Sequence, residues 1–192
     1  MNRYLISFAP WIVYAVIATS DDWRSGAEWG LAIACVVIIH DRRSGKAWDE
    51  MVIELSAAVF FAGITLLSYA RPDSALIPYG PALVDAWLAL TALGSLAVHR
   101  PFTLGIARRI APEHVWKTPA FFRTNAVITW VWAVSFAVAA GALALLIHAE
   151  PRATAAAIAI KVVTFVLPVM FTMRYPAIIA SRRERAAGTA DA

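Results

Sequence analysis

At 192 residues the chain is sized for one domain, and 60% of it is Ala, Val, Ile, Leu, Met, Phe, Trp, Tyr or Cys against 16% Asp, Glu, Lys and Arg. A soluble domain carries nearer a quarter charged residues, so the composition argues against an ordinary wet surface and for helices that face lipid. The formal charge of +4 is not the footprint of a nucleic-acid binder, because the bases come in short blocks between apolar stretches, as in a multi-spanning protein that orients itself by charge.

Six apolar stretches follow along the chain, each near the roughly 20 residues that a bilayer crossing needs. The first, Tyr4–Thr19, is preceded by Arg3 and ends in Ala18-Thr19-Ser20, which loosely mimics a signal peptide. Pro10 and Trp11 inside the run, and further apolar segments directly after it, favour a retained span. The second, Ala27–His40, has an uninterrupted apolar core of only Trp29–Ile39. It is either re-entrant or crosses by drawing Glu28 and His40 into the interface. Cys35 lies within it as the single cysteine, so an intramolecular disulfide and a cysteine metal cluster are both excluded. Val52–Ala70, Ala82–Val98 and Ala126–Ile147 are long and unambiguous, and Ala153–Met173 completes the set.

The loops differ in kind. Arg71-Pro72-Asp73 and Pro78-Tyr79-Gly80-Pro81 read as turns. In the longer fourth loop Phe102, Leu104, Ile106 and Ile110 alternate with polar positions beside Arg108 and Arg109. Either a short helix lies there on a membrane surface or the segment is a solvated connector. After Pro176 the chain is basic, then small and polar, and is expected to be unstructured. The amino terminus, second loop, fourth loop and tail hold 13 of the 17 Lys and Arg residues, whereas the alternate loops hold only Arg24, Arg71 and Arg152. Positive segments resist translocation. The fold class expected is therefore an all-α polytopic bundle of six spans with both ends cytoplasmic, comprising residues 1–175 and a basic tail over 176–192.

An ionisable group at membrane depth costs about 2.5 to 3.5 kcal/mol on insertion scales, so each one invites a role. Lys161, in Ala-Ile-Ala-Ile-Lys-Val-Val-Thr-Phe, sits roughly 12 Å inside the last span, and Asp85 roughly 6 Å inside the outer end of the fourth. Helical side chains lean toward the amino terminus, which brings Lys161 outward to the level of Asp85. The two are expected to pair, as a staple between helices or as the gate of an ion or solute path. Glu54, one turn into the third span, is placed to pair with Arg42, Arg43 or Lys46, to reach interfacial water, or to relay protons. His40 and His99 at cytoplasmic helix ends admit a b-type haem reading, since paired histidines on facing helices hold that group, although interfacial histidines are commonplace. Asp21-Asp22 reads as a solvated pair. Walker, Gly-x-Ser-x-Gly and His-Glu-x-x-His signatures are missing from the sequence, and no metal or cofactor is expected. Most of the eight tryptophans suit interfacial belts, while Gly94-Ser95, Ala139-Ala140-Gly141 and Ala155-Ala156-Ala157 allow close helix contact.

Taken together, Phe8-Ala9-Pro10, the short second span with its basic loop, His99-Arg100-Pro101-Phe102, Trp116 to Phe122 with Asn125, Trp132-Ala133-Val134-Ser135-Phe136 and Ile160-Lys161-Val162 form a pattern. It resembles the YciB family of inner membrane-spanning proteins, also called intracellular septation protein A, over most of the chain to about Phe171; Asp85 falls outside the pattern. The resemblance implies a protein of the bacterial inner membrane serving envelope maintenance and division through other envelope proteins, and the leading reading is a non-enzymatic multi-pass protein in that role. The resemblance supplies no catalytic residues. Two alternatives stand beside it: a small channel or transporter using Lys161 with Asp85 and Glu54, assembled as a homo-oligomer, and a haem-binding redox subunit using His40 and His99.

Overall fold

The computed structural model describes residues 2–18, 22–108 and 110–190; Thr19, Ser20, Asp21 and Arg109 therefore lie outside the described residues. Among the described residues every regular element is helical: α1 (Asn2–Ile17), α2 (Trp23–Arg43), α3 (Val52–Ala70), α4 (Gly80–Ala97), α5 (Thr103–Ala107), α6 (Pro119–Ala149) and α7 (Thr154–Ala190), with short 3-10 turns at Trp48–Glu50, Ile77–Tyr79 and Glu113–Val115.

Local chemistry sets the helix boundaries. At the start of α6 the Thr118 hydroxyl accepts a hydrogen bond from the Phe121 N–H at 3.2 Å, and Pro119 fills the first helical turn, where its missing donor costs nothing. Helix α2 ends in a paired turn in which Gly45 N–H donates to the Arg42 carbonyl and Lys46 N–H to that of Asp41, with Gly45 at φ +83°. Helix α4 ends in the same two-bond turn, His99 N–H to Leu96 and Arg100 N–H to Ser95. Here, however, a histidine at φ +56° occupies the left-handed position that glycine fills without steric penalty.

Four helices are long and apolar enough to cross a membrane, Val52–Ala70, Ile77–Ala97, Pro119–Ala149 and Thr154–Ile179, and Ile6–Ile17 is a shorter apolar helix. Helix α2 has 21 residues, roughly 32 Å at 1.5 Å each, but carries Arg24 and Glu28 at one end and Asp41, Arg42 and Arg43 at the other. The weak second apolar run is thus the middle of a helix whose length exceeds its apolar content.

Helices α4 and α6 form the most extensive pairing; α3 and α1 pack on α2, and α7 lies along α6. Helix α1 joins the two groups. Its Trp11 ring lies 5.3 and 5.0 Å from those of Phe60 and Phe61 on α3, while Phe8 lies 6.2 Å from Trp132 on α6. Trp11 and Trp132 belong to one buried cluster with Phe60, Phe61, Leu88 and Phe136. These two tryptophans are core residues, whereas Trp29, Trp48 and Trp130 are exposed as a belt position requires.

Contacts between connections sort into two ends of the bundle. At one end Arg24 donates to the Ser68 carbonyl at 2.9 Å, Tyr69 donates to Glu28 at 2.7 Å, and the Tyr79 hydroxyl meets His148 Nδ1 at 3.5 Å. At the other, Arg108 meets Asp49 at 3.5 Å and Glu50 at 3.8 Å. The first, third and fifth connections therefore share one end, and the second and fourth share the opposite one.

The fourth connection contains the short helix α5 and is anchored to the bundle rather than a free connector. Phe102, Thr103 and Gly105 are buried, and the Thr103 hydroxyl bonds the Asn125 carbonyl at 3.0 Å and the Thr129 hydroxyl at 2.8 Å. Only Ile110 of the four apolar positions stands well exposed, at 72%. Alternation with polar residues suggested an amphipathic surface, but the threonine is the residue that turns inward, because α6 offers it acceptors. Helix α7 also runs through Pro168 and Pro176 to Ala190, past the boundary at 176 expected for a separate tail. Its last segment, Ala-Ser-Arg-Arg-Glu-Arg-Ala-Ala, is rich in strong helix formers.

Two substitutions test this packing. A Cβ at Gly30 would stand 2.8 Å from the ring of Phe61, which is fully buried, so Gly30→Val is expected to destabilise the bundle by about 1 to 3 kcal/mol, read as a lower thermal midpoint in detergent. His99→Gly removes the left-handed penalty and should stabilise by about 1 kcal/mol; an unchanged or lower midpoint would count against the turn.

Candidate functional site

Asp85 is placed by the second turn of α4, whose start is fixed by Gly80-Pro81. Its carboxylate is almost fully enclosed, with 6% of the side chain exposed. Lys161 comes from α7, the least buried of the apolar helices, and 38% of its side chain remains open. Lys161 Nζ donates to Asp85 Oδ2 at 2.6 Å and lies 3.4 Å from the Pro81 carbonyl. Two acceptors thus meet an ammonium that carries three donors. The lysine side chain thus meets Asp85, the pairing that the sequence predicts.

Glu54 is elsewhere. It lies in the first turn of α3, and α3 and α4 run in opposite directions with Ser56 level with Thr91, so it is separated from Asp85 along the bundle axis by roughly 12 Å at 1.5 Å per residue. The Ser7 hydroxyl of α1 donates to Glu54 Oε1 at 2.6 Å, and both residues are buried. The basic loop expected to meet it is engaged in its own contacts. Lys46 forms an ion pair with Asp41, and Arg42 donates to the Lys46 carbonyl while its guanidinium lies 4.5 Å from the centre of the Trp48 ring. Arg43 is exposed. The three charged candidates therefore fall in two places, Lys161 with Asp85 between α7 and α4 and Glu54 with Ser7 between α3 and α1.

His40 and His99 are both exposed at helix ends. Neither has the enclosure between facing helices that a haem ligand requires, and the role found for His99 is to close the turn after α4. Among the described residues no group of three His, Cys, Asp or Glu side chains is disposed to hold a metal ion.

Sequence reasoning missed a polar link between α3 and α4. Trp87 Nε1 donates to Ser56 Oγ at 2.9 Å and lies 3.1 Å from the Ser56 carbonyl, and Ser56 Oγ meets Thr91 Oγ1 at 2.6 Å. A second such link joins α6 to α7, Trp132 Nε1 to Thr172 Oγ1 at 3.0 Å. Trp87 and Thr91 share a helix face at spacing four, a usable signal, but nothing local marks Ser56 as their partner.

Chemically, the Lys161–Asp85 arrangement neutralises two charges inside an apolar bundle and fixes α7 against α4. Removing one partner from a fully buried pair costs about 3 to 5 kcal/mol, and this pair, open on the lysine side, should cost less. The consequence is asymmetric. Lys161→Met strands an enclosed carboxylate, whereas Asp85→Asn leaves a lysine that can extend toward water. Thermal unfolding in detergent should show Lys161→Met as the more destabilised single variant. The Lys161→Met/Asp85→Asn double variant should lose less than the sum of the singles, with a coupling of about 1 kcal/mol or more; additive losses would sink the pairing.

Comparison with protein-family models, with curated proteins and with solved structures returned no match.

Proposed function

We propose that the chain is a multi-pass protein of the bacterial inner membrane, with six spans and both ends in the cytoplasm, that serves envelope maintenance or division as a non-enzymatic structural component. The observation that carries the structural role is the commitment of polar groups at depth to bonds between helices: Lys161 with Asp85, Ser7 with Glu54, and Trp87 with Ser56. Groups used in this way hold helices in register. Six crossings are supported by the sorting of the connections into two ends, and the direction by the concentration of lysine and arginine at the end that carries the second and fourth connections. On this reading α1 and α2 cross with the four more apolar helices, α2 by placing its terminal charges at the two interfaces. The envelope role, the bacterial setting and partnership with other envelope or division proteins rest on the resemblance to the YciB family.

A second reading, transport of an ion or small solute, is favoured by one feature: the Lys161 side chain is 38% exposed although its partner is enclosed. An ion pair with one open member can exchange its partner for a passing ion.

Three measurements separate these. In a Cys35→Ser background, cysteines at Asp73 and Arg152 should react with a membrane-impermeant maleimide in intact cells, and cysteines at Lys46 and Lys117 should react only after lysis; the reverse pattern would invert the orientation. Cross-linking in cells should recover wall-synthesis or division proteins. Reconstituted protein should pass no more solute or protons than empty liposomes, and flux that disappears in Lys161→Ala would transfer the function to transport.

A further inference from the structure

Helix α6 has 31 residues, roughly 46 Å at 1.5 Å each, against the roughly 30 Å of a bilayer's hydrocarbon core. Its apolar run starts only at Ala126, so the first two turns project beyond that core. Between this projecting end and α7 lies a surface groove of about 420 Å³, lined among others by Arg123, Val127, Trp130, Tyr175 and Ile179. Arg123, Val127 and Trp130 follow one another at spacings of four and three along one face of α6. Tyr175 and Ile179 supply the opposing wall at spacing four on α7.

The groove changes character along its length. From Arg123 to Trp130 is roughly 10 Å along the axis, and over that distance the lining passes from a guanidinium to rings and branched aliphatic side chains. Arg123 is exposed and has no ion-pair partner among the described residues, unlike Arg108, Lys46 and Lys161, which are all paired. Trp130 and Val127 are 53% and 37% exposed, so the apolar wall is open along its side rather than filled by protein. A soluble anion would use the arginine and leave the apolar wall unexplained; a neutral lipid would use the wall and leave the cation.

We infer that this groove binds one anionic phospholipid, its phosphate on Arg123 and an acyl chain along Val127, Trp130 and Tyr175. A guanidinium presents a planar fork that matches two phosphate oxygens, and a cation at the headgroup level beside an apolar cleft between helices is the arrangement that retains anionic lipids. The inference rests on the membrane reading proposed above. It is independent of orientation when read in nanodiscs, where both leaflets are open. Its failure is also separable from that of the membrane reading itself, which would show as protein monodisperse without detergent.

The test is lipid retention measured by native mass spectrometry of protein released from nanodiscs holding phosphatidylglycerol and phosphatidylcholine. Wild type should carry one tightly held phosphatidylglycerol in excess over phosphatidylcholine. Arg123→Gln should reduce its retention about fivefold, the worth of one interfacial basic residue near an anionic surface, and Arg123→Lys should keep a substantial part. Val127→Trp, which fills the cleft without changing charge, should also displace the lipid. Lys117→Gln removes the same charge outside the α6–α7 cleft and should leave retention unchanged. Equal retention by wild type and both groove variants would overturn the site. So would an equal loss in Lys117→Gln, which would reduce it to general surface charge, or full displacement by millimolar inorganic phosphate, which would make it a plain anion site.

Discussion

In hydrocarbon, a backbone carbonyl released by proline has no water to bond, and helix α7 carries two prolines, Pro168 and Pro176. Pro168 lacks the N–H that would close on the Thr164 carbonyl one turn earlier. Ser135 of α6 supplies the missing donor, its hydroxyl bonding that carbonyl at 2.5 Å. Four residues further on, the Thr172 hydroxyl donates to the Pro168 carbonyl at 2.7 Å and accepts from Trp132 at 3.0 Å. The defect that proline makes in one helix is thus repaired by its neighbour, and the repair is also the contact that fixes the two together. This matters because only 6% of the most apolar window of α7 is buried. Lipid is as apolar as leucine, so burial contributes little to helix association in a bilayer, and directed bonds from Ser135, Trp132 and Asp85 set where α7 lies.

The same logic fixes α1, the shortest of the long helices. It carries Pro10, fully buried, next to Trp11 in the aromatic cluster, and its Ser7 reaches the enclosed Glu54 of α3. A carboxylate at that depth costs several kcal/mol unless bonded, so the hydroxyl serves α3 as much as α1. At the opposite end of α1, Gly80 at the start of α4 lies against the Tyr14 hydroxyl, which a Cβ there would approach to 2.7 Å and push aside. Helix α1 is therefore held at both ends by contacts that a shifted register would break.

How much of this was legible in the sequence depends on the range of the interaction. The long apolar runs overlap the six long helices because hydrophobic periodicity and length are local. The Lys161–Asp85 contact was also legible, since depth and side-chain lean follow from position in a helix. The bond from Ser7 to Glu54 was not, because the two are 47 positions apart, and serine carries no charge by which to nominate it. Lys46 and Arg42 were the nearer candidates by charge, but Asp41 and the turn around Gly45 had already engaged them. The inward turn of Thr103 was hidden for a similar reason: its acceptors lie on α6, and the alternating apolar positions beside it fit a surface helix equally well. Belts suit most of the eight tryptophans, yet an indole N–H is also a donor that buried neighbours can use, as Trp87 and Trp132 show.

The residues that carry the resemblance have a common physical role. His99 to Phe102 make the turn that ends α4 and sends Phe102 into the core. Asn125, 3% exposed, offers its carbonyl to Thr103, Trp132 links α6 to α7, Ser135 repairs the Pro168 gap, and Lys161 ties α7 to α4. Each acts where one helix must stop or meet another, so these positions of the pattern specify a shape. A transport path would instead gather its ionisable groups along one wall, whereas here Lys161 and Asp85 close one region and Glu54 another, on different helix pairs. That distribution suits a rigid membrane body whose work is done at its surface, and it is why the structural reading is preferred to transport.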